Sequence, residues 1–332
     1  MLGCEPPAYR RTGGNIQIVK QLRAAPRQVS HLTEAAGLFA ILAAFGALPV
    51  DWASAIGGWL GRTIGPRLGI SRRALKNLRR AMPDNSEFQN RRIVAGMWDN
   101  LGRSVAEFPH LDAICAAGSE RVEIVNGAAI ARLRETGRPA ILFGGHFANW
   151  EVGPSTIHRI YGDSLLSVFR ASNNPWADRV LRRRMLARRA VAKGSDGGRD
   201  LLRHLHRGGH VAMLVDQKMN DGVAVPFFGH DAMTAPAIAR LALRFKCPIV
   251  PVRVERLNGS HFRFTVLPPI ELTDTRDTAD NVRAILMRIT AVLEDWIVAR
   301  PEQWLWLHQR WPREAAQATP EISLEPATPT II

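Results

Sequence analysis

Short apolar runs that stop at a glycine or a polar pair, each followed by a stretch long enough for a helix, recur along this chain and leave it few architectures. Pro139–Phe143, Leu165–Arg170 and Val211–Val215 are such runs. Their lack of polar alternation suits strands covered on both faces. Strands that alternate with helices pack as one sheet with helices laid against it. Further strands are expected at Val122–Val125, Pro248–Val254 and His261–Val266. Helices are expected at Ala128–Glu135, Glu151–Tyr161, Asp200–Arg207, Ala235–Phe245 and Asn281–Arg300. Residues 71–110 carry apolar positions at helical spacing and split into two helices at Pro83. Pro226–Gly229 reads as the opening of a loop, and Trp304–His308 as either a strand or aromatic packing. The fold class is therefore α/β, a central mixed sheet flanked by helices.

The ends of these strands carry the chemistry. Ile141-Leu142-Phe143-Gly144-Gly145-His146-Phe147-Ala148-Asn149-Trp150-Glu151 places a histidine just beyond a strand and a carboxylate five positions later. Five is a poor spacing on one helical face, where partners sit three or four apart. It works if His146 lies in the turn before a helix and Glu151 in the first turn, reaching back to the ring. A carboxylate so placed orients an imidazole and balances its charge once a proton is taken. No serine or cysteine stands close by to act as nucleophile, so the attacking hydroxyl is expected on a substrate, and the reaction class is group transfer. A chance pair of structural residues is the competing reading. Two further strand ends, Arg170/Asn173/Asn174 and Asp216/Gln217, are polar without an evident packing role. In one sheet, such ends converge on one cleft.

Composition narrows the partners. The 332 residues include 44 Lys+Arg against 30 Asp+Glu, a formal charge of +14, with 46% hydrophobic residues. That is a folded, strongly basic chain suited to nucleic acid, an acidic membrane surface or a phosphorylated substrate. Cys4, Cys115 and Cys247 are scattered, with no spacing that suggests a disulfide framework or a metal site. Residues 1–30 read as a basic, mobile arm and residues 31–65 as a hydrophobic, membrane-associated segment. Residues 66–313 form the catalytic domain and 314–332 a flexible tail. Within 31–65 an uncharged run is broken at Asp51. The first part falls short of the ~20 apolar residues of a simple span, so a helical hairpin or interfacial anchor fits as well as a span. Basic residues flank it (Lys20, Arg23 and Arg27 before; Arg62, Arg67, Arg72 and Arg73 after), as acidic headgroups would require. A buried core helix is the alternative.

Five blocks, in this order, resemble the lipid A biosynthesis acyltransferase family, within the wider glycerolipid acyltransferase group and its His-x4-Asp/Glu motif. They are Gly144–Glu151, Phe169–Pro175, Leu214–Lys218, Val225–Ala237 and Pro301–Trp311. The resemblance implies a glycerolipid acyltransferase-like fold behind an N-terminal membrane helix, at the cytoplasmic face of the inner membrane of a Gram-negative bacterium. It implies an acyl carrier protein thioester as co-substrate, no cofactor, and a hydroxyl of an anionic lipid A precursor as acceptor. His146 and Glu151 would then be general base and orienter. The basic arm and the extended tail depart from the family pattern without touching a motif.

The remaining candidates each have two readings. Arg170 suits an acceptor phosphate, or a local ion pair with Asp178. Asn173 and Asn174 contact substrate or build the turn before Pro175. Asp216 and Gln217 bind sugar hydroxyls, support Arg170 or cap a strand. Phe228 and Gly229 line an acyl channel or belong to the core, and Thr234 of the same block completes the candidate substrate-binding set. Backbone N–H groups around Gly145–Phe147, or at the start of the following helix, are candidate oxyanion donors. Trp304, Trp306 and Trp311 fit an interfacial belt or, better, the core. An acyl-CoA-dependent enzyme acting on a lysophospholipid or other glycolipid is the nearest alternative. A nucleic-acid-binding protein is disfavoured by the apolar segment and by the few aromatics among the arginines at 179–189.

Overall fold

The computed structural model describes residues 14–162, 165–169, 172, 174–185, 190–192, 195–272 and 278–312. The first described element is α1 (Gly14–Gly46), which runs through the point where the sequence suggests an arm giving way to an apolar segment. Pro49 then opens α2 (Val50–Ile64). The basic helix α3 (Ser71–Ala81) stops before Pro83. In α4 (Glu87–Glu107) Ser86 and Gln89 satisfy each other's backbone N–H in a capping box. α2 and α4 cross closely because glycines meet: a Cβ on Gly57 would come 2.5 Å from the carbonyl oxygen of Gly102.

The rest follows the expected alternation: α5 (Leu111–Ile114), β1 (Val122–Val125), α6 (Gly127–Glu135), β2 (Ile141–Gly144), α7 (Val152–Tyr161) and β3 (Leu165–Phe169). Then come α8 (Pro175–Met185), β4 (Ala190–Ala192), α9 (Ser195–His206), β5 (His210–Leu214), β6 (Lys218–Phe227) and β7 (His230–Thr234). After these come α10 (Ala237–Phe245), β8 (Ile249–Asn258), β9 (His261–Val266) and α11 (Thr278–Ala299). Seven strands form one sheet in the order β1-β9-β8-β2-β5-β3-β4. All neighbours are parallel except β8 and β9, so the sheet is mixed.

Every residue of β2 is buried, as its unbroken apolar run requires. Alternation along it feeds two cores. Ile141 and Phe143 join α10 and α11 through Ala242 and Trp296. Leu142 joins α7 and β8 through Ile157 and Val252. The tryptophans settle on the core reading, with Trp304 and Trp306 fully buried and Trp311 nearly so.

Residues 226–229 differ from the sequence expectation. They close a separate hairpin, β6 with β7, in which Phe227 pairs with His230 across a two-residue turn. Phe228 and Gly229 both adopt positive φ (51° and 70°), the mirror-image turn geometry that suits the twist of two joined strands. A phenylalanine at that position gives no turn signal, which is why the hairpin was not legible.

Candidate active site

Parallel pairing sets Gly144 at the end of β2 beside Leu214 at the end of β5. The N–H of Val215 extends that ladder to Gly144 O at 3.2 Å. The next residues leave the sheet side by side, Gly145–His146 from one strand and Asp216–Gln217 from the other. Two of the three polar strand ends therefore converge as expected.

Asp216 is wholly buried and accepts three hydrogen bonds. His146 Nδ1–H donates to Oδ1 at 2.7 Å, the backbone N–H of His146 to Oδ2 at 2.7 Å, and the Trp304 indole to Oδ2 at 2.8 Å. Burial alone would raise the Asp216 pKa. The charge of His146 and the hydrogen bonds from its ring and backbone outweigh that, and the carboxyl is held well below the usual carboxylate range. An anionic acceptor at Nδ1 keeps the proton there and leaves the lone pair on Nε2, the nitrogen a general base uses. Against that Nε2 lies the Gln217 amide nitrogen, 3.2 Å away, which also stands 3.3 Å from Nε2 of His308. The His146 ring is edge-on to Trp150 and His308, with centroids 5.2 and 4.8 Å apart.

The carboxylate bonded to Nδ1 is thus Asp216, 70 residues further on, and not Glu151 as the spacing suggests. The local backbone explains the correction. The N–H of Phe147 turns back onto Gly145 O at 2.8 Å, and Phe147 pairs with Trp304 in an isolated bridge. Glu151 leaves at the cap of α7, its own N–H on Asn149 Oδ1 at 3.2 Å. Glu151 instead lines the cavity that opens beside His146.

The turn carrying His146 is held by a second buried network. Ala148 has a φ of 47°, a left-handed conformation that costs a residue with a Cβ about 1–2 kcal/mol. Its N–H donates to Gln303 O at 2.9 Å, and its carbonyl accepts from Asn100 Nδ2 (3.0 Å) and Ser104 Oγ (3.1 Å). Next to it, Asn149 donates to Oε2 of Glu107 at 2.9 Å. Glu107 is fully buried and forms an ion pair with Arg256, which in turn bonds Asn100 Oδ1 at 2.9 Å and lies over Phe262. The strained turn is therefore tied to α4, β8 and the 301–306 segment at once.

The cavity has a volume of about 840 Å³. Its lining is largely apolar, with Leu142, Ile157, Phe169, Leu241, Val252 and Trp296 among the walls. Polar groups are few: His146, Glu151 and Gln217, with Ser167, Arg199 and Arg240 also contributing. Such a size and balance suit an elongated apolar ligand with one polar, reacting end.

Other candidates lie elsewhere. Asn174 caps α8 by accepting from the N–H groups of Trp176 and Ala177, and its amide ties α8 to α1 through His31 O at 2.8 Å and Glu34 Oε2 at 2.9 Å. Phe228 and Gly229 form the β6–β7 turn, where the Phe228 N–H donates to Glu294 Oε1 at 2.8 Å. Thr234 is buried against Arg310, whose guanidinium donates to its hydroxyl at 2.8 Å. None of these four lines the cavity. Arg170 and Asn173 lie outside the described residues. Sequence reasoning missed His308, the Trp304 indole and the Glu107–Arg256 pair. A histidine within an otherwise aromatic run was the available signal for the first.

The whole constellation lies within residues 25–313, the span that matches the bacterial lipid A biosynthesis acyltransferase family. The chain belongs to that family. Among its relatives is the lipid A biosynthesis myristoyltransferase of Escherichia coli K12, 28% identical over 259 residues, covering 75% of this chain and 77% of the relative. The lipid A biosynthesis acyltransferase 1 of Shigella flexneri is 27% identical over the same shares. The E. coli K12 lipid A biosynthesis lauroyltransferase is 25% identical over 255 residues, or 71% and 77% of the two chains. As a family member the protein is an acyltransferase.

Proposed function

We propose that the protein moves a fatty acyl chain from an acyl carrier protein thioester to a hydroxyl of a lipid A precursor, a secondary acylation in lipopolysaccharide biosynthesis. The observation that carries this reading is His146, with Asp216 on Nδ1, at the wall of a largely apolar cavity. The ring nitrogens of His146 meet Asp216 and Gln217, so among the described residues no serine or cysteine is bonded to the base. The nucleophile then arrives with the acceptor.

In this mechanism the acceptor oxygen bonds to the thioester carbonyl carbon while its proton passes to His146 Nε2. The carbonyl π pair moves onto oxygen. When that oxyanion collapses, the carbon–sulfur bond breaks and the departing sulfur takes the proton from Nε2. Asp216 orients the ring and offsets the imidazolium charge. Glu151, at the cavity wall, accepts a hydrogen bond from the acceptor. The cavity holds the acyl chain, and Arg240, exposed at its lining, meets acceptor phosphate.

The same reading sets the enzyme on the cytoplasmic face of the inner membrane. No described helix is long and apolar enough to cross a membrane. Trp52, Ile56 and Trp59 stand exposed at helical spacing on α2, with Phe39 exposed on α1. Arg62, Arg67, Arg72 and Arg73 follow directly. An apolar face with a basic rim favours an interfacial docking mode on acidic headgroups. Trp52→Ser/Trp59→Ser should lose flotation with anionic vesicles; unchanged flotation would remove this face from the membrane.

The deciding assay offers the purified protein acyl carrier protein or CoA thioesters with either a lipid A precursor or a lysophospholipid, read by mass spectrometry. One added acyl chain on the lipid A precursor, from the carrier protein donor, is expected. His146→Ala should cut it by ~10²–10⁴-fold, the usual worth of a general base. Acylation of the lysophospholipid alone, or wild-type turnover by His146→Ala, would overturn the assignment.

A further inference from the structure

Three backbone donors in the turn that carries His146 are engaged elsewhere. The N–H of His146 is on Asp216, that of Phe147 on Gly145 O, and that of Ala148 on Gln303 O. A side-chain donor stands in their place. Gln217 directly follows Asp216, so one strand end serves both ring nitrogens of His146, the carboxylate at Nδ1 and the amide at Nε2. With the proton fixed on Nδ1, Nε2 presents a lone pair, and an amide N–H is the group that satisfies it. The second amide hydrogen is directed to Nε2 of His308 at 3.3 Å. Both contacts lie at or beyond the long end of the N–H hydrogen-bond range, so an incoming hydroxyl can displace the first.

We propose that Gln217 is a catalytic residue that caps the base in the empty site and then, displaced from Nε2 by the acceptor hydroxyl, donates the same N–H to the carbonyl oxygen as it becomes an oxyanion. His308 holds the other amide hydrogen and fixes the amide plane. This rests on the acyl-transfer reading above. As the acceptor oxygen bonds to carbon and its proton moves to Nε2, the carbonyl π pair moves to oxygen and takes up the amide hydrogen bond. Gln217 itself neither gains nor loses a proton.

The test compares the wild-type protein with Gln217→Leu and Gln217→Glu, each checked for an unchanged melting temperature. Among the described residues the groups that face His146 are Asp216 from the end of β5, His308 from the C-terminal segment and Trp150 from the turn before α7, while the Trp304 indole bonds the same Asp216. Glu151, Arg199 and Arg240 share the cavity, and Arg310 is electrostatically coupled to Asp216. An N–H donated to Nε2 favours the neutral ring. Gln217→Leu should therefore move the acidic limb of kcat/KM to higher pH, and Gln217→Glu should move it further. Loss of one oxyanion donor should lower kcat of Gln217→Leu by ~10²–10³-fold, with KM changed only a few-fold.

Wild-type kcat in Gln217→Leu, or a rise in KM with an unmoved limb, would overturn the proposal. Failure of the wild type to transfer acyl chains would instead count against the acyl-transfer reading. In that event the capping contact is still read by ¹⁵N chemical shifts of His146, where Gln217→Leu should raise the ring pKa. An unchanged ring pKa there would overturn it too. Gln217→Met serves if the leucine variant does not fold.

Discussion

Two carboxylates, Asp216 and Glu107, are fully buried on either side of the turn that carries His146, yet their surroundings differ in kind. Glu107 faces a guanidinium whose charge is permanent, and takes further hydrogen bonds from Ser54 (2.6 Å) and Asn149 (2.9 Å). Asp216 takes its bonds from an imidazole, an indole and a backbone N–H, so among the described residues the cation bonded to it is His146 when protonated. A buried charge with a permanent partner makes a static clamp. A buried charge whose partner gains and loses a proton stabilises one protonation state over the other, which a base needs in mid-reaction. The first network builds the turn, and the second uses it.

The sharpest way to break this contrast is Asp216→Asn. An amide keeps the shape but turns an N–H toward Nδ1, which drives the ring proton onto Nε2 and removes the lone pair. Transfer should fall by ~10³–10⁴-fold, near the top of the range for general base catalysis. The fold should persist, as read by circular dichroism. Activity within tenfold of wild type would show that Asp216 does not set the tautomer.

Glu107→Gln should do the reverse. Removing one partner leaves Arg256 buried and uncompensated, a loss of ~3–5 kcal/mol in a denaturant titration. Its effect on kcat, measured where the variant is still folded, should be much the smaller of the two, acting through Asn149 and the strained Ala148. A variant as stable as wild type would mean that the ion pair is not what holds the turn.

The two networks also differ in how far they could be read beforehand. The sheet was legible because β2, β3 and β5 lie on largely apolar runs and β8 and β9 on apolar-rich ones, and parallel pairing of β2 with β5 brings their ends together whatever the loops do. His146, Asp216 and Gln217 were accordingly all picked out. What spacing could not supply was which carboxylate meets the ring. Five residues along the chain made Glu151 look nearer than Asp216, although adjacency of β2 and β5 in the sheet is what sets the distance. Glu107 and Arg256 gave no signal at all. Each sits in an ordinary amphipathic stretch, and only the crossing of α2 on α4 and the pairing of β8 with β9 bury them. The β6–β7 turn was lost for a local reason, a phenylalanine at positive φ.

Glu151 sharpens the comparison from the substrate side. It lines the cavity at the N-terminal end of α7, and its proposed part is one charge-assisted hydrogen bond to the acceptor. Such a bond is worth ~1.5–3 kcal/mol. Glu151→Gln should therefore lower kcat/KM for the acceptor by about 10–100-fold, and leave the pH limb set by His146 in place. A loss as deep as that of Asp216→Asn, with a displaced limb, would return Glu151 to the role of orienter.

The smallest effect belongs to a carboxylate that is paired but not buried. Asp51, at the start of α2, meets Arg121 at 2.7 Å and accepts from Ser260 at 2.6 Å, with 58% of its side chain exposed. The Arg121 hydrogen bond, then that of Ser260, brings its pKa down to about 2. Its folded value thus lies below the ordinary one near ~3.9. A depressed carboxylate contributes stability that is whole above pH ~4 and disappears as pH falls from there to about 2. Solvent screening limits that contribution to ~1 kcal/mol or less. Asp51→Asn should accordingly shift the unfolding midpoint slightly at pH 7, converge with wild type near pH 2, and lose its effect in 1 M salt. The Glu107→Gln deficit should survive the same salt, because a pair closed off from solvent is screened far less. If salt erased both deficits alike, Glu107 would be solvated in solution and the clamp would not be the sealed network that separates it from Asp51.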